Sequence, residues 1–209
     1  MNNKLKEFKY DTSWTKKLES KKHWLLYWQQ QWMLEKYLKR EDIILEIGLG
    51  SGFTANYLRN KNYTVTTLDI DNEKKPDIVA NIVDYDLKSN YDIILAFEVF
   101  EHFHFNYLKT VLQMLHSHCN RYLLISIPEY LSCFFSLEFK LFGVEKTFSV
   151  RRPSFYKIKK ISQNHHWEVN SNPETKLEKL TELFHDHGFK IMEQSYYQDR
   201  YFIALERIS

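Results

Sequence analysis

The sequence contains little cysteine, glycine and proline, and it lacks long apolar runs and a strong excess of charge. There are two cysteines, five glycines and four prolines in 209 residues. Cys119 and Cys133 provide neither a disulfide framework nor a metal-ligand pair, so we expect reduced thiols and a cytoplasmic protein. No apolar run approaches the roughly 18 residues of a membrane span. The polar start, "MNNKLKEFKYD", is unlike a secretory signal, and the net charge of +2 implies no general affinity for nucleic acid.

Apolar and aromatic residues are plentiful, and their order along the chain predicts the architecture. Hydrophobic residues make up 44% of the chain, which is enough to fill one core. Near the N-terminus, "KKHWLLYWQQQWMLEKYL" predicts a helix with a broad buried face. We expect residues 1–40 to form one or two helices that lie over the main domain.

From residue 43 onward, apolar runs with strand character alternate with helical patterns. The runs that predict strands are 43–47, 63–70, 77–83, 91–97 and 121–127. Helical patterns follow the first and fourth of these runs, in "FTANYL" and "FNYLKTVLQMLHSH". A later helix is predicted from Asn172 as N-cap, Pro173 at its first position and Gly188 just past its end. The chain closes with two strand-like runs, "FKIMEQSYY" and "DRYFIALER". This order predicts a mostly parallel sheet with helices on both faces and an antiparallel hairpin at its end.

Three of the five glycines fall at the first strand-to-helix turn, in "ILEIGLGSGFTANYL". Gly48, Gly50 and Gly52 lie at the carboxyl edge of the predicted sheet, where open α/β folds bind ligands. Glycine allows a sharp turn and a close approach of the backbone to a ligand. A tight turn without a ligand is the alternative. A dinucleotide fingerprint requires a third glycine at the position of Phe53, so NAD is the weaker candidate.

Four motifs in register give the chain a resemblance to a known family. "LEIGLGSG" contains an acidic residue followed by G-x-G-x-G, "TTLDID" ends the second strand, "NIVDYDL" follows, and "YDIILAFEVFEHF" closes the series. Over residues 42–128 the sequence resembles class I S-adenosylmethionine-dependent methyltransferases. The resemblance implies a Rossmann-like three-layer α/β sandwich with a seven-stranded sheet, S-adenosylmethionine as cofactor and S-adenosylhomocysteine as product.

The same resemblance implies a set of cofactor-binding residues. They are Glu46, Gly48, Gly50, Gly52, Asp69, Ile70, Asp84, Phe97 and Glu98. Asp69 is expected to accept hydrogen bonds from both ribose hydroxyls, because a carboxylate can accept two donors together. Asp84 is expected near the adenine amino group. Asp71 competes with Asp69 for its role, and Asp86 competes with Asp84.

Candidates for the acceptor site lie outside the cofactor motifs. In "NHHWEVN" (164–170), His165 or His166 can take a proton near neutral pH, and Glu168 can orient it. Trp167 can form a wall of the acceptor pocket. Small-molecule members of the family often carry a similar segment facing the active site. His102 is a further catalytic candidate, although Glu101 and His102 can equally be a helix start. A histidine pair with neither a third ligand nor a cysteine nearby does not predict a metal site.

The segment between the fifth strand and the last helix is longer than the sheet requires. Its first part, "EYLSCFFSLEFKLFGVEKTF", predicts a helix packed on the N-terminal helices, and the same packing would also allow an apolar wall or lid of the acceptor pocket. Its second part carries basic residues among aromatics over 151–160. Such a cluster can bind nucleic acid, although a solvated face is favoured.

We therefore predict one methyltransferase domain over residues 1–209. Its parts are a helical cap (1–40), a cofactor-binding core (42–128), a lid or acceptor-site insertion (129–170), and the last helix with the terminal hairpin (171–209). The leading function is methyl transfer to a small-molecule acceptor at oxygen, nitrogen or carbon. The alternatives are an RNA methyltransferase and a cofactor-binding regulatory protein without catalysis. The sequence does not indicate an oligomeric state.

Overall fold

The strands form one large sheet and one separate hairpin. The computed structural model describes residues 20–131, 133–141, 144–151 and 161–208. The strands of the large sheet are β1 (Ile43–Ile47), β2 (Thr64–Asp69), β3 (Ile78–Val79), β4 (Tyr91–Phe97), β5 (Cys119–Pro128), β8 (Phe189–Tyr197) and β9 (Arg200–Arg207). The hairpin consists of β6 (Cys133–Leu141) and β7 (Val144–Arg151). The α-helices are α1 (Lys21–Tyr37), α2 (Phe53–Asn60), α3 (Leu108–His118) and α4 (Leu177–Asp186).

The strand order of the sheet is β3-β2-β1-β4-β5-β9-β8. Strands β1 to β5 pair in parallel, and β9 runs antiparallel to both β5 and β8. This confirms the predicted fold class, a Rossmann-like α/β sandwich whose mostly parallel sheet ends in an antiparallel hairpin. The chain order reverses between β1 and β4, and open α/β folds bind ligands outside the carboxyl ends of the strands at this point.

The sheet is buried on both faces, as expected of strands made of continuous apolar runs. On one face Ile44 of β1 belongs to a buried cluster with Leu34 of α1 and Leu58 of α2. On the other face its neighbour Leu45 lies in a cluster that includes Leu112 of α3. Successive residues of a strand point to opposite faces, so one short strand supplies both halves of the core. None of the described helices combines the length and apolar character that a membrane crossing requires.

The segment after β5 differs from its prediction. We expected a packed helix in the first part of 129–164, but the chain forms the β6–β7 hairpin there. Phe135, Leu137 and Phe139 are exposed side chains at alternate positions of β6, which is strand periodicity. Most of the basic cluster over 151–160 lies outside the described residues.

Two further boundaries differ from their predictions. Helix α4 begins at Leu177, and Asn172 instead accepts hydrogen bonds from the backbone N–H groups of Glu174 and Thr175 in the preceding turn. The predicted third strand, 77–83, is reduced to Ile78–Val79. At the N-terminus α1 confirms a helix, whereas residues 1–19 of the predicted cap lie outside the described range. The division of the chain into cap, core, lid and tail stays a prediction.

Candidate functional site

A cavity of about 250 Å³ opens at the carboxyl ends of β1, β2 and β4. It runs from the turn after β1 to a group of carboxyl and imidazole side chains that follows β4. We call the first part the glycine end, formed by residues 46–54 with 68–74, and the second part the histidine end, formed by residues 98–102 with 162–165. Helix α1 covers one side of the cavity.

The glycines of the turn have different roles. Gly50 lines the cavity with φ at +55°, and a Cβ atom built there meets no atom within 4 Å. Its missing side chain therefore leaves open space for a ligand. A Cβ on Gly48 would approach Val99 Cγ2 to 2.6 Å, so Gly48 allows close packing of the turn on the end of β4. Gly52 does not line the cavity. It is the N-cap residue directly before α2, with φ at +77°.

Glu46 brings a buried carboxyl group to the wall of the glycine end. Its Oε2 atom has no hydrogen-bond partner among the described residues. Burial raises the pKa of Glu46 to about 8, and a hydrogen bond from the Ala55 backbone and the charge of Arg59 oppose this only in part. A buried oxygen without a donor is costly, so the site is suited to a ligand that brings a cation or an N–H group.

Asp69 is the buried acidic residue at the end of β2. Its Oδ2 accepts hydrogen bonds from the backbone N–H of Leu49 at 2.8 Å and from Lys74 Nζ at 3.0 Å. Its Oδ1 accepts one from the backbone N–H of Asp71 at 2.9 Å. The carboxylate is thereby fixed beside the glycine turn, and Ile70 lines the cavity next to it. Lys74 also lines the cavity, and the sequence argument missed it.

Asp84 does not reach the cavity. It is exposed, and its backbone N–H donates to the carbonyl of Asn81 in the turn after β3. Asn81 and Ile82 line the cavity in its place. The competing candidate, Asp86, is exposed and pairs with Lys88.

Helix α1 supplies cavity residues that the sequence argument did not identify. Tyr27 lines the cavity, and its hydroxyl group shares a hydrogen bond of 2.7 Å with Ser51 Oγ. Its ring stacks on that of Phe53, with the ring centroids 4.7 Å apart. Gln30 accepts a hydrogen bond from Thr54 at 3.2 Å. The aromatic residues of "HWLLYW" were a signal for such packing, but their sequence does not show which element they face.

At the end of β4, Phe97 and Glu98 line the cavity, and Glu98 has the uncommon φ of +56°. The carboxylate of Glu98 accepts from Ser126 Oγ at 2.9 Å and from Arg200 Nε at 2.5 Å. Arg200 comes from the start of β9 and also lines the cavity. These contacts hold the Glu98 carboxylate on the sheet edge, in spite of the backbone strain.

Glu101 is fully buried in the short helical turn that follows β4. Neither of its carboxyl oxygens has a hydrogen-bond partner among the described residues. Burial, and after it the nearby carboxylate of Glu98, raises the pKa of Glu101 well above its usual value. It lines the cavity at the histidine end.

His102 and His165 lie together although they are 63 positions apart in the sequence. Their rings make an edge contact with centroids 5.0 Å apart, and both line the cavity. His102 Nδ1 donates to the carbonyl of Asn164, and His165 Nδ1 donates to Glu168 Oε1, each at 2.9 Å. Burial lowers the pKa of His102 to about 4. Glu168 is buried behind His165 and does not line the cavity.

His166 lies outside the cavity, unlike its sequence neighbour. Its ring is exposed and packs on His104 at 3.9 Å between centroids. Trp167, the predicted pocket wall, is buried in the core instead and donates from Nε1 to the carbonyl of Phe103 at 3.1 Å. The fold therefore brings His102 and His165 together, places Glu168 in contact with His165, and leaves His166 on the surface.

Residues 22–194 match a family model described as methyltransferase domain. The chain belongs to this family, and its fold is that of class I S-adenosylmethionine-dependent methyltransferases. None of the curated protein sequences matches the chain significantly.

Solved structures share the fold at low sequence identity. One is a 1,6-didemethyltoxoflavin N1-methyltransferase of Burkholderia thailandensis, with 14% identity, a TM-score of 0.56, and 87% of this chain and 77% of that chain covered. The glycopeptide N-methyltransferase MtfA with bound S-adenosylhomocysteine has 10% identity, a TM-score of 0.57, and coverage of 86% and 88%. The magnesium protoporphyrin IX methyltransferase of Synechocystis PCC 6803 has 14% identity, a TM-score of 0.55, and coverage of 88% and 78%.

Proposed function

We propose that the protein binds S-adenosylmethionine at the glycine end and transfers its methyl group to a small-molecule acceptor bound at the histidine end. The observation that carries this proposal is that one cavity joins the two ends. Family membership supports the reaction type. The similar structures that act on a toxoflavin precursor and on a porphyrin support an acceptor of small-molecule size.

The residues of the glycine end fit the cofactor. Glu46 Oε2, which lacks a donor among the described residues, suits the ammonium group of the methionine part. Asp69 lies where its carboxylate can accept from ribose hydroxyls, and Gly50 leaves space for the bound molecule. Ile70 and Phe97 supply apolar contacts in the same cavity. When bound, S-adenosylmethionine supplies an electrophilic methyl group on a positively charged sulfur.

The histidine end has groups that can hold and orient an acceptor. His102 and His165 present imidazoles to the cavity, and Glu168 fixes the ring of His165 through Nδ1. Groups fixed in this way can hold a nucleophile in line with the methyl group, and such positioning is a main contribution of a protein to methyl transfer. We include Glu168 as a positioning residue. We no longer include His166, Asp84 or Gly52, which lie outside the cavity.

The test combines a binding and a transfer measurement. Calorimetry should show micromolar-order binding of S-adenosylmethionine and S-adenosylhomocysteine. Purified protein with methyl-labelled cofactor should then label a fraction of a metabolite extract from the cytoplasm, where we place the protein. Label in bulk RNA instead would favour the RNA alternative, and binding with no transfer to either pool would favour the regulatory one. Absence of cofactor binding would overturn the proposal.

A further inference from the structure

Three metal-ligating side chains converge at the histidine end. Glu101 and His102 follow β4, and His165 comes from the segment that precedes α4. One ligand atom from each of the three lies within 4.8 Å of the other two. From the sequence, only the adjacent pair His165 and His166 was considered as metal ligands. The set of three could not be recognised there, because α3, β5 and the β6–β7 hairpin lie between His102 and His165 in the chain.

Hydrogen bonds around the two imidazoles fix the tautomer that a metal requires. The carbonyl of Asn164 and the carboxylate of Glu168 can only accept, so His102 and His165 both donate from Nδ1. In a neutral imidazole the lone pair is then on Nε2. Metal-binding histidines almost always donate their other ring N–H to a carbonyl or a carboxylate in this way.

Glu101 gives an independent indication of a ligand. Its side chain is fully buried, and neither oxygen has a hydrogen-bond partner among the described residues. The carboxylates of Glu98 and Glu168 add negative charge nearby, and the positive charge of Arg200, which is hydrogen bonded to Glu98, offsets it only in part. A carboxyl group left in this state costs free energy, whereas a cation bound to it would satisfy its oxygens.

We propose that Glu101, His102 and His165 bind one divalent transition-metal cation at the histidine end of the cavity. Two imidazoles and one carboxylate suit zinc, manganese, iron or cobalt, whereas magnesium and calcium prefer oxygen ligands alone. Three protein ligands leave coordination positions open toward the cavity that all three residues line.

The open positions indicate a class of acceptor, an inference that rests on the proposed function. A bound divalent cation lowers the pKa of a coordinated oxygen acid, and a hydroxyl acceptor needs this help more than a neutral amine does. We infer an acceptor that carries a hydroxyl group and a second oxygen close enough to coordinate the same cation.

Titration with Co²⁺ alone tests the site without cofactor or acceptor. Chelator-treated full-length protein should bind one equivalent with micromolar or tighter affinity and develop visible absorption bands of cobalt with nitrogen and oxygen ligands. His165→Ala and His102→Ala should each weaken binding by about 100-fold or more, and Glu168→Gln by about 10- to 100-fold. His166→Ala and His104→Ala are matched controls, because these two rings pack on each other outside the cavity, and binding should change less than about threefold.

Circular dichroism identifies variants that fail to fold, and His165→Asn then replaces His165→Ala as the milder change. Wild-type protein that binds no Co²⁺ below about 1 mM would overturn the proposal, as would equal affinities in the His165 and His166 variants. Calorimetry with S-adenosylmethionine on the same metal-free protein separates this proposal from the proposed function. Cobalt binding without cofactor binding would support the metal site and contradict the proposed function, together with the acceptor class that rests on it.

Discussion

The two ends of the cavity are built by different means. At the glycine end, the ligand surface comes mainly from the ends of β1 and β2 and the turn after β1, and Asp69 is fixed by backbone N–H groups of Leu49 and Asp71. At the histidine end, the groups come from the turn after β4 and from a segment about 60 residues later. Side-chain contacts such as that of His102 with His165 join the two segments. Residues whose positions are fixed by one strand and its turn can be recognised from a local sequence motif. Residues brought together from distant segments cannot be recognised in this way.

The comparison predicts how substitutions affect cofactor affinity. Changes at the glycine end should reduce it, in proportion to how directly each residue faces the bound molecule. Changes of His102 and His165 at the histidine end should leave it nearly unchanged.

The largest effect is expected for Gly50→Val. Its side chain would project into the open space of the cavity, so affinity for S-adenosylmethionine should fall by about 100-fold or more in calorimetry. The φ of +55° also strains any residue with a Cβ, and Asn62→Val is the matched control because Asn62 is exposed with φ at +68°. The control should lose a similar amount of stability and keep its affinity. Equal affinities in the two variants would contradict the assignment of this turn.

Asp69→Ala should have the next largest effect. Loss of charge-assisted hydrogen bonds to two ribose hydroxyls should cost about 2–3 kcal/mol, or about 30- to 150-fold in affinity. Asp71→Ala is the control, because the Asp71 side chain accepts from the backbone N–H of Glu73 in a surface turn. If Asp71→Ala proves the more damaging change, the ribose contact has been assigned two residues too early in the chain.

Local sequence patterns were sufficient for most of the large sheet. Apolar runs with turn signals predicted β1, β2, β4 and β5, because buried parallel strands have continuous apolar sequences. The β6–β7 hairpin was missed because the segment was judged by its apolar content. Its alternating Phe135, Leu137 and Phe139 were the available signal for a strand. The start of α4 was missed because an Asn-Pro pair favours turns as well as helix starts, and here the Asn172 side chain closes a turn.

The candidate site divides in the same way. Glu46 and Gly50 were identified from one motif and Asp69 from a second, each confined to the end of one strand, and all three line the cavity. The pairing of His102 with His165 depends on how a long connection folds back onto the sheet, and sequence spacing contains no information about that. Tyr27 was missed for a similar reason, since an amphipathic pattern shows that a helix packs but not on what.

Glu46→Gln should have a moderate effect, with a distinct dependence on pH. The raised pKa of about 8 means that Glu46 is mostly protonated in the free protein at pH 7, while the ammonium of the cofactor favours the carboxylate. Ionising it at pH 7 costs about 1.4 kcal/mol, so the net loss in the variant should be only about tenfold in affinity. Binding at pH 7 should release about one proton, measured by calorimetry in buffers of different ionisation enthalpy, and almost none at pH 9.

The stability of the free protein provides a second measurement of Glu46. A folded-state pKa raised from 4.5 to about 8 favours the protonated form, so this contribution is fully present below pH 4.5 and is lost as pH rises through 8. The free energy of unfolding of the free protein should therefore decline less steeply over this range in Glu46→Gln than in the unmodified chain. If urea titrations give the same dependence of the unfolding free energy on pH for both proteins, Glu46 is ionised over this whole range in the folded protein. Binding of the cofactor at pH 7 would then release no proton from Glu46.

The smallest effect on cofactor affinity is expected for His165→Ala. His165 lines the cavity at the histidine end and contacts His102 and Glu168, so its loss should change the affinity for S-adenosylmethionine by less than about threefold. Turnover of an acceptor found in the extract screen should fall by about 100-fold, the usual contribution of one proton-transfer or orienting group. His166→Ala tests the distinction between the adjacent histidines, because its exposed ring packs on His104 outside the cavity and both affinity and turnover should persist. A large loss of cofactor affinity in His165→Ala would show that the two ends are not separate binding regions, and loss of turnover in His166→Ala would return that residue to the acceptor site.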